Sequence, residues 1–396
     1  MNWLLIKSRL HIQTMLWVVS ILLIFPPSIC AAIIRSNGTG GGNWSESDTW
    51  QEGTIPSNMD TVIIANGDAI ILDLSTTIAR LVFESGLRAN TLTHQSSSEV
   101  LNVNGDVLLN TPSANGQEQS WNIDSGEAIV SGNIYLTLAA GAGNGTRIAT
   151  VHISNGSLSA DSLIFQNTTG QDSQTRIMIT ANGSINLEGN IVFGTNNGTL
   201  NCGTEGRFNF TGTSNQILRQ SGSGIIYFHD VYIQGSNSRT VTLDANLDQQ
   251  GNGQVTGSLY VENGILHAGT YSITLAAGET FAVRDGATFI TQAADPNAFP
   301  SADTIQLDST STVIYNRNGN QTISTQTYGN LSIISPNTAV RTYTLAGNIT
   351  LRGNLNVQQT GGVPRYIGAR HKHHNCQSLG FTHSWSKHAY RSEWCF

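Results

Sequence analysis

From about Ile33 to Val363 the chain is written in short runs whose apolar and polar residues alternate, each closed by small polar residues or glycine. Thr61-Val-Ile-Ile64, Ala69-Ile-Ile-Leu72, Ile185-Asn-Leu187, Ile191-Val-Phe193, Leu259-Tyr-Val261 and Ile273-Thr-Leu275 are examples. A period of two places alternate side chains on one face, so each run predicts a short strand with one buried side. Asn-Gly pairs punctuate the runs eleven times, at 37, 66, 104, 115, 144, 155, 182, 197, 252, 263 and 318. Glycine takes positive φ without steric cost and Asn tolerates the left-handed region, so each pair predicts a turn. No stretch of helical period with caps follows residue 32, and the mature chain is expected to be almost wholly β.

The runs also repeat in order. Phe208-Asn-Phe210, Gln216, Phe228-His-Asp-Val-Tyr-Ile233, Thr240-Val-Thr-Leu243 and Gly257-Ser-Leu-Tyr-Val261 return as Val313-Ile-Tyr315, Gln321, Tyr328-Gly-Asn-Leu-Ser-Ile333, Thr342-Tyr-Thr-Leu345 and Gly353-Asn-Leu-Asn-Val357. Units of this kind bury their apolar faces on their neighbours. Two all-β architectures fit: a right-handed parallel β-helix, or tandem β-sandwich repeats joined by hairpins. Very short strands, drifting repeat length and the lack of an immunoglobulin-type Trp–Cys pattern favour the β-helix, with Asn or Thr ladders at its bends.

Charge and composition narrow the function. Only 11% of the 396 residues are charged and the net charge is −7, which gives no electrostatic reason to bind nucleic acid or anionic lipid. The N-terminus sets Lys7, Arg9 and His11 before an apolar run from Leu16 to Phe25, then Pro26, Pro27 and Ser28-Ile-Cys-Ala-Ala32. That order predicts a secretory signal peptide over 1–32, cleaved after Ala31 or Ala32. Ile29 before Cys30 argues against a lipoprotein site, and a membrane link is expected only through an anchor not visible in this chain. The four cysteines, Cys30, Cys202, Cys376 and Cys395, form no disulfide framework.

The first mature segment, Gly42-Asn-Trp44, Asp48-Thr-Trp50, Gly53, Ile55-Pro56, Asp60-Thr-Val-Ile-Ile64 and Gly67-Asp68, resembles the opening cassette of secreted, adhesin-like β-helix surface proteins of Bacteroidetes. It also resembles the G8 domain of extracellular proteins. The later blocks, Thr-Val-Ile-Tyr, Tyr-Gly-Asn-Leu-Ser-Ile and Gly-Asn-Leu-Asn-Val, resemble repeats of the same surface proteins. The resemblance covers roughly 33–360 and implies a right-handed β-helix and cell-surface residence, with no catalytic residues to carry over.

Candidate chemistry is sparse. Asp230, Asp244, Asp248 and Glu262, then Asp285, Asp295, Asp303 and Asp308, supply carboxylates, and Arg219, Arg239 and Arg284 supply cations, as a β-helix lyase or glycosidase would need. Their setting beside Gly, Asn and Ser predicts instead turn acids that accept local backbone hydrogen bonds. Trp44 and Trp50 are expected to cap the first coil, with a sugar-stacking platform as the sharper reading. Tyr227, Tyr260 and Tyr328 would serve a carbohydrate-binding module if they lined one flat face. His94, His152, His229 and His267 show no metal spacing. Eleven Asn-x-Ser/Thr sequons are present, five of them also Asn-Gly turns.

Residues 364–396 break with everything before them. His371, His373, His374, Cys376, His383, His388 and Cys395 gather there, with Trp385 and Trp394, and the Gly-Asn refrain stops. Their spacing matches no familiar zinc pattern. The stretch reads as a non-native end left by a frameshift or gene fragment. The organisation expected is therefore a signal peptide (1–32), a β-helix repeat region (33–363) and an atypical tail (364–396). The function expected is a non-enzymatic secreted or cell-surface stalk, with no catalytic residue, cofactor or metal. Its partners would be cell-surface glycans or other surface proteins. The alternatives are a polysaccharide-active β-helix enzyme and a carbohydrate-binding module without turnover.

Overall fold

The computed structural model describes residues 31–359 apart from 66, 139–145, 167–173, 195–197, 219–223, 237, 249–252 and 337–340. The expected signal peptide, except for its last two residues, and the whole of the atypical tail lie outside the described residues.

Each alternating run becomes a strand that pairs in parallel with the equivalent strand of the neighbouring coil. The first face starts at Ile33–Arg35 and passes through Thr61–Ile64, Arg80–Phe83, Val107–Asn110, Ile134–Thr137 and Leu163–Gln166 to Ile191–Phe193. The second runs from Gly41–Asn43 to Gly253–Val255, and the third from Thr76–Ile78 to Thr304–Leu307. The first face resumes as a separate sheet from Gln216–Leu218 to Leu355–Gln359. The result is a parallel β-helix of about 12 turns. Tandem sandwiches are excluded, because they would join successive strands in antiparallel hairpins.

Register explains why alternation suffices to build this body. On the first face Val62, Leu81, Val107, Ile134, Leu163 and Ile191 stand one above another, and all are fully buried. Beside them run Ile64, Phe83, Leu109, Leu136, Phe165 and Phe193, the last two rings stacked at 4.7 Å. Each such side chain contributes about 1.5–3 kcal/mol by leaving water. The interior polar groups sit where the chain bends: Asn90 donates to the Glu84 carbonyl (3.0 Å) and to Gln119 Oε1 (3.0 Å), and Gln119 donates to the Asn110 carbonyl (2.6 Å).

The bends are more specific than their Asn-Gly spelling suggests. Gly38, Gly67, Gly116 and Gly264 do take positive φ, as expected of such turns. Gly156 and Gly183 do not. They belong to a column with Gly126 and Gly206, one per coil, at the corner before the third face. A Cβ on Gly156 would lie 2.2 Å from the Gly126 carbonyl oxygen, so close backbone approach is what requires glycine there.

The bend acids also differ from expectation. Asp230 accepts from the Ser258 N–H (2.9 Å), Asp285 from Thr310 (3.0 Å), Asp295 from Thr322 (2.9 Å) and Asp303 from Gly278 (2.6 Å). Asp60, Asp68, Asp73 and Asp106 do the same for Ala32, Gly38, Ser45 and Asn133. These bonds are not local. They clip one coil to the next where a bend has carried the backbone out of the ladder.

The N-terminal end is closed. Residues after Trp44 fold back under the first strand, so that Gln51 N–H reaches the Arg35 carbonyl (2.7 Å) and Glu52 accepts from the Arg35 N–H (2.9 Å). Trp44 and Trp50 meet edge to face at 4.9 Å, and the Trp50 indole donates to the Trp44 carbonyl (3.0 Å). Both are buried, so they cap the first coil and offer no sugar-stacking platform.

The two sequence copies lie on different faces. Phe208 is on the third sheet, whereas its counterpart Val313 is on the resumed first. Gln216 and Gln321 nevertheless do the same work, each buried and donating to a carbonyl of the preceding coil, Leu187 (3.0 Å) and Ala293 (3.1 Å).

Candidate functional site

The densest set of chemically able side chains among the described residues lies on the outer side of the third sheet. It spans the strands Arg207–Phe210, Asp230–Gln234, Leu259–Asn263, Thr280–Val283 and Thr304–Leu307. Alternation turns Val231, Ile233, Leu259 and Val261 inward and leaves Tyr232 and Tyr260 outward, in register. Their rings stack at 4.7 Å and 16°. The Arg207 guanidinium lies over Tyr232 (5.5 Å) and that of Arg284 over Tyr260 (5.7 Å). A four-layer column results, with the coil order placing each cation on the side away from the other ring. Burial and the neighbouring Asp230 raise the Tyr232 phenol above its ordinary range, while Arg207 works the other way.

Beside this column runs a charged row. Arg284 Nε is 3.6 Å from Glu262 and its Nη1 is 3.8 Å from Asp308, while Nη1 also donates to Gln306 Oε1 (2.9 Å). The row borders an open depression of about 410 Å³ lined by Gln306, Asp308, Gln326, Thr327 and Arg352. A second open depression of about 310 Å³, with Asp161, Glu188 and Asn190, marks the corner between the third and first faces.

Glycoside cleavage requires two carboxyls that flank the scissile bond across an open gap. Here the space between Glu262 and Asp308 is filled by the Arg284 guanidinium. The other acids of the two sequence clusters are separate from this row. Asp230, Asp285, Asp295 and Asp303 hold backbone N–H groups of adjacent coils, and Asp244 and Asp248 do not join the row. Where a carboxyl is displaced from its ordinary range, the direction is down. For Asp285 the cause is the Thr310 N–H and hydroxyl. For Asp60 and Glu99 burial acts in the opposite sense but is outweighed by hydrogen bonds from serines and backbone.

The remaining candidates are dispersed. Arg239 is a core residue, donating to Gln216 and to the Phe210 carbonyl (2.5 Å), with its guanidinium lowered to about 10 by burial. It therefore cannot serve a surface reaction, and Arg219 lies outside the described residues. Tyr227 is on the second sheet and Tyr260 on the third, while Tyr328 is buried against Tyr315 (3.0 Å between hydroxyls). The three do not line one face. His94 is buried, His152 is 3.5 Å from Glu118, and His229 is 3.9 Å from Asp230. No three His, Cys, Asp or Glu side chains converge on a metal position among the described residues. Cys202 is a free, buried thiol pushed up to about 12 by burial. The His/Cys group at 371–376 falls outside the described residues.

Sequence reasoning missed Arg207 and Tyr232. Asp230-Val-Tyr-Ile233 and Ser258-Leu-Tyr-Val261 carry Tyr at the same phase of the alternation, but only the coil register shows that the two are neighbours, and no sequence signal marks Arg207.

No family model matches the chain, and neither a curated protein nor a solved structure is detectably similar to it.

Proposed function

We propose that this chain is a secreted or cell-surface β-helical stalk that presents its bends and outer faces for contact and carries out no covalent chemistry. The carrying observation is the coil ladder itself: about 12 turns, each advancing about 4.8 Å, make a rod on the order of 60 Å long. Such a rod with few charges and bends clipped coil to coil suits passive display. The side chains with most chemical potential support the same reading, since both tyrosine pairs are engaged with partners inside the protein. The leader-like order of residues 1–32 is the basis for export.

The test is localisation. Intact cells expressing the full chain with an epitope in the bend around Gly278 are treated with an impermeant protease. Loss of the epitope without loss of a cytoplasmic marker is expected for surface display, and release to the medium for secretion. An epitope that persists inside the cell overturns the reading.

The polysaccharide-active alternative retains one observation in its favour, the Glu262–Arg284–Asp308 row on consecutive coils. It requires new reducing or unsaturated ends from a panel of neutral and acidic polysaccharides, abolished in E262Q and D308N. No release by the parent protein removes it.

A further inference from the structure

The outer side of the first face carries a feature that passive display does not require. In the register that stacks Val62 to Ile191 inward, the residue between the two buried positions of each strand points outward. These residues are Ile63, Val82, Leu108, Tyr135, Ile164 and Val192, one per coil over six successive coils. No register shift interrupts these pairings, so the row is straight, and all of its side chains are part-exposed. The corresponding rows elsewhere are mostly polar. On the third face Asn102, Ser159, Asn186 and Asn209 belong to it, the last three linked by side-chain hydrogen bonds of 3.1 and 2.8 Å. On the second face Thr93, Asn122 and His152 do. The apolar row ends at Val192, where the first sheet itself stops. A contiguous apolar patch of more than a few hundred Å² is rarely left in water.

We infer that this row is the interface between two copies of this chain, packed side by side and pointing the same way about a twofold axis parallel to the solenoid. Three observations select a second copy. First, rotation about such an axis sets each coil against itself and reverses the strand direction. Val82 then meets its own copy, and the residue two places before it meets the residue two places after. Arg80, exposed and in no ion pair among the described residues, thus faces Glu84 of the second copy. Glu84 is steadied from the head of the row by Arg35, whose charge it neutralises. Arg35, Arg80, Glu84 and Asp106 sum to zero in each copy, and later rim positions such as Asn133, Thr137 and Gln166 are uncharged. Rods pointing in opposite directions would instead set Arg80 against Ser162 and leave it without a partner. Second, six coils about 4.8 Å apart, each crossed by five residues of about 3.3 Å, give a patch of roughly 29 by 17 Å, about 1,000 Å² over two copies. That reaches the lower bound of a specific interface and has its apolar centre and polar rim. Third, the Tyr135 hydroxyl accepts from Asn133 Nδ2 (3.3 Å), which draws the ring toward one rim. The twofold axis draws the ring of the second copy toward the opposite rim, so the bulkiest members of the row pass each other.

Sedimentation velocity of the full chain over a concentration series tests the assignment, with far-UV circular dichroism showing that each variant is folded. The parent is expected to pass from monomer to dimer as its concentration rises through the micromolar range. Leu108→Glu and Ile164→Glu, both outward, should abolish the dimer, whereas Ser159→Glu on the third face should leave it. Arg80→Glu sets carboxylates face to face at each rim and should raise the dissociation constant at least about tenfold, less so at high salt. Facing sheets lie about 10 Å apart, so a short bis-maleimide should join I164C to its own copy, read by mass spectrometry as a peptide linked 164 to 164. S159C should give no such self-link. A parent that stays monomeric at every concentration overturns the inference. So does a dimer that survives both L108E and I164E, because its interface would then lie on another face. A dimer lost in those variants that yields no 164–164 link overturns the parallel arrangement.

Discussion

Acidification should open the coils around His94 before the rest of the rod. His94 occupies an inward position at the end of Thr91–His94, in register with Leu72, and is 2% exposed. Neither ring nitrogen makes a hydrogen bond of good geometry, the Glu99 backbone carbonyl being near enough to act only weakly on the ring. Burial lowers its pKa from 6.5 to about 4, with Glu99 acting in the opposite direction. Because the folded value lies below the unfolded one, the unfolded chain takes up the proton first between pH 6.5 and 4. Stability is therefore undiminished above about pH 6.5, falls as the pH drops through this window, and the loss is complete near pH 4. At 1.36 kcal/mol per unit, the full loss is about 3 kcal/mol, and about 2 kcal/mol is reached at pH 5. Glu99, held below its ordinary range, loses its contribution only at lower pH. Hydrogen exchange corrected for intrinsic rates, at pH 7 and pH 5, reads the effect locally. Opening in residues 91–103 is expected to rise about 30-fold, the ratio for 2 kcal/mol, while 312–335 changes little. His94→Leu continues the apolar row of Leu72 and should remove the pH dependence. An equal acid response in H94L, or no response in the parent, would refute the argument that burial of this imidazole sets it.

Other consequences follow from the same geometry. Leu259 is fully buried between Val231 and Phe281, so Leu259→Ala should cost about 2–5 kcal/mol in chemical denaturation. Leu259→Asp, like Ile191→Asp, should unfold neighbouring coils, and far-UV circular dichroism equal to the parent's would contradict this. Gly156→Ala must push its Cβ away from a carbonyl 2.2 Å distant, at a cost of about 1–3 kcal/mol. Gly53→Ala, at φ +64 with open space around it, should cost about 1–2 kcal/mol from backbone strain alone. Arg239→Ala leaves Gln216 Oε1 and the Phe210 carbonyl without their donor; a loss of about 1–3 kcal/mol per acceptor is expected in the same titration. A double-mutant cycle between Arg284 and Tyr260 should give a coupling of about 0.5–1 kcal/mol, and zero would show that the column is only adjacency.

Much of this molecule was legible as text. Period-two alternation names the buried side of most strands, and it did so for Val62, Ile191 and Leu259 because a strand has only two sides. The small polar bends, the capping tryptophans and the repeated Gln216 and Gln321 were also visible, since each is a local demand on residue type. The sequence could not say which face a run occupies. All three faces offer the same inward–outward alternation, so the length of the bends decides, and Phe208 and its counterpart Val313 end on different sheets. Nor could it pair residues a coil apart. Asp230 with Ser258, Gly126 with Gly156, and Tyr232 with Tyr260 meet only because about 28 to 30 residues return the chain to the same corner. Arg239 shows the limit most clearly: a charged residue in a polar stretch reads as surface, yet its guanidinium ends in the core because two backbone-linked acceptors wait there. Local chemistry fixes which side chains want burial. The winding of the coil fixes which ones meet.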